Sequence, residues 1–110
     1  MTETYDYVNR AGKDVFDDWL TQLADVGAQA KIASRINRLA AGNFGDCKPL
    51  RWALRELRID WGPGYRVYFA MLGQQRVLLL CGGDKRKQTS DIKRALEYLS
   101  TVTLYDERRT

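Results

Sequence analysis

Hydrophobic spacing divides the chain into a helical first half and a stranded second half. Val15, Phe16, Trp19, Leu20 and Leu23 recur at the three- and four-residue spacing of a helix face. Asp14, Asp17 and Asp18 crowd the end where the helix dipole is positive. Gly27 interrupts that pattern. A second amphipathic stretch carries Ile32, Ala33, Ile36, Leu39 and Ala40 on one side and Lys31, Arg35 and Arg38 on the other. It stops at Gly42-Asn43, residues that readily take the left-handed conformation at a helix end. The two segments predict a helical hairpin with one shared apolar stripe.

From residue 56 the period becomes two. Leu57, Ile59 and Trp61 alternate with Glu56, Arg58 and Asp60. After Gly62-Pro63-Gly64, Tyr65, Val67, Phe69 and Met71 alternate with Arg66, Tyr68 and Ala70, which predicts a β-hairpin turning on those three residues. Gly73-Gln74-Gln75 leads to Arg76–Cys81, apolar on both faces and therefore an interior strand. Gly82-Gly83 closes it, and Asp84-Lys85-Arg86-Lys87 forms a basic turn. A final helix capped by Ser90 carries Ile92, Ala95, Leu96 and Leu99. Tyr5–Val8 adds a short strand, and the tail 104–110 is expected to be loose. The expected fold class is α+β, one domain over residues 1–110. An antiparallel sheet bears the helical hairpin on one face and the C-terminal helix at its edge.

Composition removes several function classes. A chain of 110 residues has room for one core. Its apolar runs, Val77–Cys81 among them, fall far short of the ~20 residues of a membrane helix, so no membrane partner is expected. Met1–Asp6 has neither the basic nor the apolar region of a secretory signal. Cys47 and Cys81 form no metal-type spacing, which argues against a disulfide scaffold and a zinc knuckle. There is no histidine, so a Ser-His-Asp triad and a Cys-His protease are excluded. Gly82-Gly83 lacks the surrounding pattern of a phosphate loop.

Charge adds a direction. Residues 1–50 hold 6 Lys/Arg against 7 Asp/Glu, a balance of −1, while residues 51–110 hold 12 against 7, a balance of +5. A surplus confined to one half suggests a basic patch, for which a polyanion is the usual partner and a solvated face the plain alternative. If Trp61 and Tyr65 flank the turn as partners, Ile59 faces Val67 and Leu57 faces Phe69 on the buried side. Asp60 then lies across from Arg66, and Arg58 across from Tyr68. As residue types these are first of all a cross-strand ion pair, worth ~0.2–1 kcal/mol, and a stacking contact. Functionally, Glu56, Arg58, Arg66 and Tyr68 share one face, with Lys85 at the end of the neighbouring strand. Trp19 and Trp61 are expected in the core, Trp52 fits either core or stacking platform, and Cys81 is expected to be buried.

Five segments resemble a known family when taken together. They are Phe16-x-x-Trp19-Leu20, Gly42-Asn43-Phe44-Gly45-Asp46, Glu56-Leu57-Arg58-Ile59, Gly62-Pro63-Gly64-Tyr65-Arg66-Val67-Tyr68-Phe69 and Leu79-Leu80-Cys81-Gly82-Gly83-Asp84-Lys85. In order and spacing, from about residue 14 to 99, they are similar to the RelE/ParE superfamily of toxins, and most to its HigB-like addiction module killer branch. The resemblance implies a small cytoplasmic toxin that cuts mRNA on the ribosome and is held inactive by an antitoxin, usually of helix-turn-helix type. It implies no cofactor and no metal. Arg66 matches the arginine placed on the scissile phosphate, a role that suits a bidentate guanidinium. Arg58 matches a basic position on the preceding strand, and Lys85 matches a basic residue at the end of the last strand. Glu56 is the first choice as general base, since no histidine can serve. Tyr68, Arg86 and Lys87 are the expected RNA contacts. Two other outcomes belong to the same superfamily: a ParE-like inhibitor of DNA gyrase that cuts nothing, and a decayed module that only binds its antitoxin.

Overall fold

The computed structural model describes the backbone of residues 3–109 and side chains through Val102. Strand β1 (Glu3–Asp6) is followed by helices α1 (Val15–Thr21) and α2 (Val26–Ala40). Strands β2 (Cys47–Arg51), β3 (Leu54–Ile59), β4 (Tyr65–Leu72) and β5 (Arg76–Asp84) come next. A 3-10 turn (Lys85–Lys87) then leads into helix α3 (Gln88–Arg109). The fold is α+β, and none of its described helices is long and apolar enough to cross a membrane.

Both early helices start on an aspartate. Asp14 accepts from the Asp17 amide at 2.9 Å and Asp25 from the Ala28 amide at 3.1 Å, each satisfying one of the free donors of a helix start. The break between them therefore lies at Gln22–Asp25. Gly27 does not interrupt the helices as expected but sits in the first turn of α2, where a Cβ would come within 2.8 Å of the Trp61 ring. At the far end of α2, Gly42 takes a φ of 92°. Its amide and that of Asn43 bond back to the carbonyls of Leu39 and Arg38, at 2.9 and 2.8 Å, closing the helix as the sequence predicts.

The five strands lie in the order β1-β5-β4-β3-β2, and β2 to β5 form an antiparallel meander. The sheet is nonetheless mixed, because β1 pairs parallel to β5, from Glu3 opposite Arg76 to Asp6 opposite Leu79. That corrects the all-antiparallel expectation. A parallel neighbour needs a long connection, and here the intervening chain supplies two helices and three strands. Strand β2 has no counterpart in the sequence reading. It is an edge strand carrying Pro49, whose missing N–H is tolerated only where no inner ladder needs it.

The sheet is covered on both faces. Phe16, Ala28, Ile32 and Leu39 pack against Leu57, Ile59, Val67, Phe69 and Leu79 on one side. Ala95 and Leu99 of α3 pack against Leu54, Tyr68, Ala70, Leu80 and Cys81 on the other. Helix α3 thus lies across the second face, not at the edge. The double covering explains why Val77–Cys81 is apolar throughout. The helix begins two residues before Ser90, and with no glycine or proline over residues 88–109 it continues through most of the expected loose tail. Strand β5 likewise runs on through Gly82 and Gly83. A Cβ at Gly82 would fall 2.3 Å from the Trp19 ring, and one at Gly83 would fall 1.9 Å from Asp91 Oδ2, so both layers touch the strand backbone here.

One connection is strained. Arg51 and Leu54 pair across the two-residue turn Trp52-Ala53, and Trp52 takes a φ of 53°. For a residue with a side chain the left-handed region costs roughly 1–2 kcal/mol, and a turn of this length favours glycine there.

Two outcomes follow from this packing. Gly82→Ala should lower stability by about 1–3 kcal/mol in urea unfolding, because Trp19 cannot retreat without disturbing Phe16 beside it. The second concerns Asp6. Although this residue is exposed overall, its carboxyl is pushed up to about 7 by partial desolvation, by a shared hydrogen bond with Asp14, and by the charges of Asp14 and Asp17. A raised carboxyl binds a proton in the folded state that the unfolded state has released. Stability should therefore fall as pH rises from about 4 to about 7. Asp6→Asn should flatten that slope and melt above wild type at alkaline pH, as thermal unfolding across the range would read.

Candidate functional site

The face of the sheet beneath the start of α3 collects the charged residues. In β3 and β4, Arg58 stands directly opposite Arg66, and Glu56 opposite Tyr68. This register is shifted by two residues from the expected one. The connection takes in all of Asp60–Gly64, because the Trp61 indole donates to Asp25 Oδ2 at 3.1 Å and packs on Gly27 instead of pairing with Tyr65. Trp61 is accordingly a surface bridge to α2, not a core residue. Asp60 does not face Arg66, and Arg58 does not face Tyr68.

Two arginines directly opposite on one face repel each other. Glu56 resolves the conflict. Its Oε1 accepts from Arg58 Nε at 3.1 Å and lies 3.7 Å from Arg66 Nε, while Oε2 accepts from Gln88 Nε2 at 2.8 Å. The Glu56 side chain is 0% exposed, Arg66 17% and Arg58 35%, so the carboxylate forms a floor and the guanidiniums rise from it toward solvent. From behind, Arg35 of α2 donates to the Arg58 carbonyl at 2.6 Å and pins that strand.

The remaining candidates occupy distinct places. Lys85 lies one strand further along, since Arg66 pairs with Gly83 two residues before it. Its amide donates to the Gly64 carbonyl at 2.9 Å, and its side chain is exposed beside the loop. Arg86 points to solvent and pairs with Asp84 at 3.0 Å, which holds the Asp84 carboxyl below its ordinary range. Lys87 lines a cavity of about 600 Å³ between α1 and α3, together with Trp19, Gly83, Asp91 and Arg94; Arg58 and Arg66 are not part of it. Asp91, nearly buried against Gly83, is shifted upward chiefly by burial, and Arg94 donates to it at 3.2 Å.

Two expected roles do not fit their positions. Glu56 is closed off from solvent beneath both arginines, so it is placed to hold them, not to take a proton from a substrate hydroxyl. Tyr68 is fully buried, its hydroxyl has no hydrogen-bond partner, and burial with the Glu56 charge pushes the phenol above its ordinary value. It is a core residue, not an RNA contact. Gln88 was absent from the sequence reading, though the signal was there: Gln88, Asp91, Ala95 and Leu99 follow the three- and four-residue spacing of the inner face of α3. Cys81 is buried as expected, and both cysteines are free.

No known family profile matches this chain. It is 54% identical over 80 residues to an uncharacterized protein of Haemophilus influenzae, a match covering 73% of this chain and 81% of that relative. The chain belongs to the same family as this Haemophilus influenzae protein.

Proposed function

We propose that the protein is the toxin of a toxin–antitoxin module and that it cleaves mRNA on the ribosome, in the cytoplasm, through the Arg58–Arg66 face. The observation that carries this reading is the pair of opposed guanidiniums fixed on a single buried carboxylate. The motif series shared with RelE-like and HigB-like toxins supports it, as does the +5 balance of the second half of the chain.

In such a cleavage a ribose 2′-OH gives up its proton to solvent water as it attacks the adjacent phosphate, the bond to the 5′-oxygen breaks, and that oxygen takes up a proton. The developing pentacoordinate phosphorus gathers negative charge on its non-bridging oxygens. Arg66, drawn toward Glu56 by charge at 3.7 Å with its buried Nε in no hydrogen bond, supplies donors at that charge, and Arg58 shares it from the facing strand. Because Glu56 fixes Arg58 and gathers Arg66 beside it before substrate arrives, little reorganisation is needed at the moment of reaction. Lys85, exposed at the end of the adjoining strand, contacts a neighbouring phosphate or gives a proton to the departing 5′-oxygen in this reading. Arg86 and Lys87 extend the positive surface along the message. An antitoxin, which the resemblance makes a helix-turn-helix protein, silences the site by covering this face.

Arg66→Ala should abolish new mRNA 5′ ends in primer extension on a translated reporter, a loss of about 10²–10³ in rate, with the circular dichroism spectrum unchanged. Growth arrest with intact mRNA and inhibited supercoiling would transfer the reading to a gyrase inhibitor. Neither effect would leave a module that only binds its antitoxin. Glu56→Ala should remove activity and fold stability together. The buried guanidiniums lose their counter-ion, at the low end of about 3–5 kcal/mol because Arg58 keeps part of its hydration. Urea unfolding of this variant beside Arg66→Ala separates the two effects.

A further inference from the structure

We infer that the β2–β3 hairpin tip is a second RNA contact, in which Trp52 stacks on an unpaired nucleobase while Lys48 and Arg51 face the phosphates; Arg55 lies over the Phe44 ring on the other face of the sheet. Trp52 is 74% exposed, and it is the one large apolar side chain that the hairpin presents to solvent. It is held out in a left-handed conformation that glycine would take without strain, so the turn keeps an indole where folding favours its absence. The Arg51 guanidinium lies over the ring, 4.6 Å from its centre, and steadies one of its sides.

The surrounding charge identifies the occupant. From Cys47 to Arg55 there are three cations and no acidic residue, and none of the three enters an ion pair among the described residues. Glu56, next along the strand, is fully buried beneath other arginines. A protein partner that anchors on a tryptophan surrounds it with further apolar contacts, whereas the exposed neighbours here are Lys48, Pro49 and Arg51. One flat ring beside cations that no carboxylate neutralises matches single-stranded nucleic acid, where each base offers a π-face and each linkage a negative charge. The Trp52 ring is separate from the Arg58–Arg66 face, while Lys48, which pairs with Glu56, stands between the two. Arg58 stands four residues beyond Leu54 on β3, about 13 Å along the strand at ~3.3 Å per residue. The contact shares the RNA partner of the proposed function and does not require cleavage.

The test is fluorescence anisotropy of a labelled short oligouridylate titrated with the full chain across a salt series. Trp52→Ala should weaken binding by about 5- to 100-fold at every salt concentration and leave the salt slope unchanged, because stacking releases no counterion. Trp52→Phe should retain most of the affinity. Lys48→Ala should reduce the slope itself. Trp52→Gly should lose affinity like Trp52→Ala while melting no lower than wild type, since the turn is relieved. Wild-type affinity in Trp52→Gly would overturn the inference and leave the ring to a protein partner. Absence of oligouridylate binding by the wild-type chain at low salt would overturn it as well. Neither result touches the Arg66 cleavage test, which is read separately as new 5′ ends on translated message.

Discussion

Glu56 is a carboxylate shut off from solvent, held between two guanidiniums and an amide. Each member of this cluster needs the others. Without the carboxylate, Arg58 and Arg66 would face each other across adjacent strands as like charges; without the arginines, the carboxylate would be a buried ion with no counter-ion. Gln88 adds the third tie and brings the first turn of α3 down onto the sheet. The cluster therefore links the two strands to the helix that covers them. It also sets the geometry of the Arg58–Arg66 face, so a single interaction serves both the fold and the candidate chemistry.

The packing around it follows from the same economy. Gly82 and Gly83 let Trp19 approach one side of β5 and Asp91 the other, so the layers from both ends of the chain meet at the strand that leads to Lys85. Arg35 reaches across from α2 to the Arg58 carbonyl. The helical pair is thus a support for the arginines as well as a cover for the apolar face.

Much of this was legible in the sequence, and the misses have definite causes. Helix faces and interior strands were readable because their apolar positions obey a period. Edge strand β2 was not, because Pro49 and its exposed cations break the alternation. The register slipped by two residues because Trp61 looked like a hydrophobic partner for Tyr65, whereas its indole N–H is drawn to Asp25, thirty-six positions away. Alternation did place Glu56, Arg58 and Arg66 on one face, but it carries no depth, so it could not tell that Glu56 lies at the bottom and Arg58 near the top. Tyr68 failed for the same reason. A polar tip on a large ring reads as a surface residue until a helix is laid over it.

The parallel pairing of β1 with β5 sets an order of assembly. Strands β2 to β5 are joined by short turns and can zip together locally, each hairpin closing a small loop. Strand β1 has no such neighbour. To reach β5, Glu3 must find Arg76 across about seventy residues of chain, and the entropy of closing that loop is recovered only once the meander already offers an edge. The N-terminal strand is therefore the last to dock, and until it does the most apolar strand of the protein stands with one edge unpaired, open to the same edge of another chain.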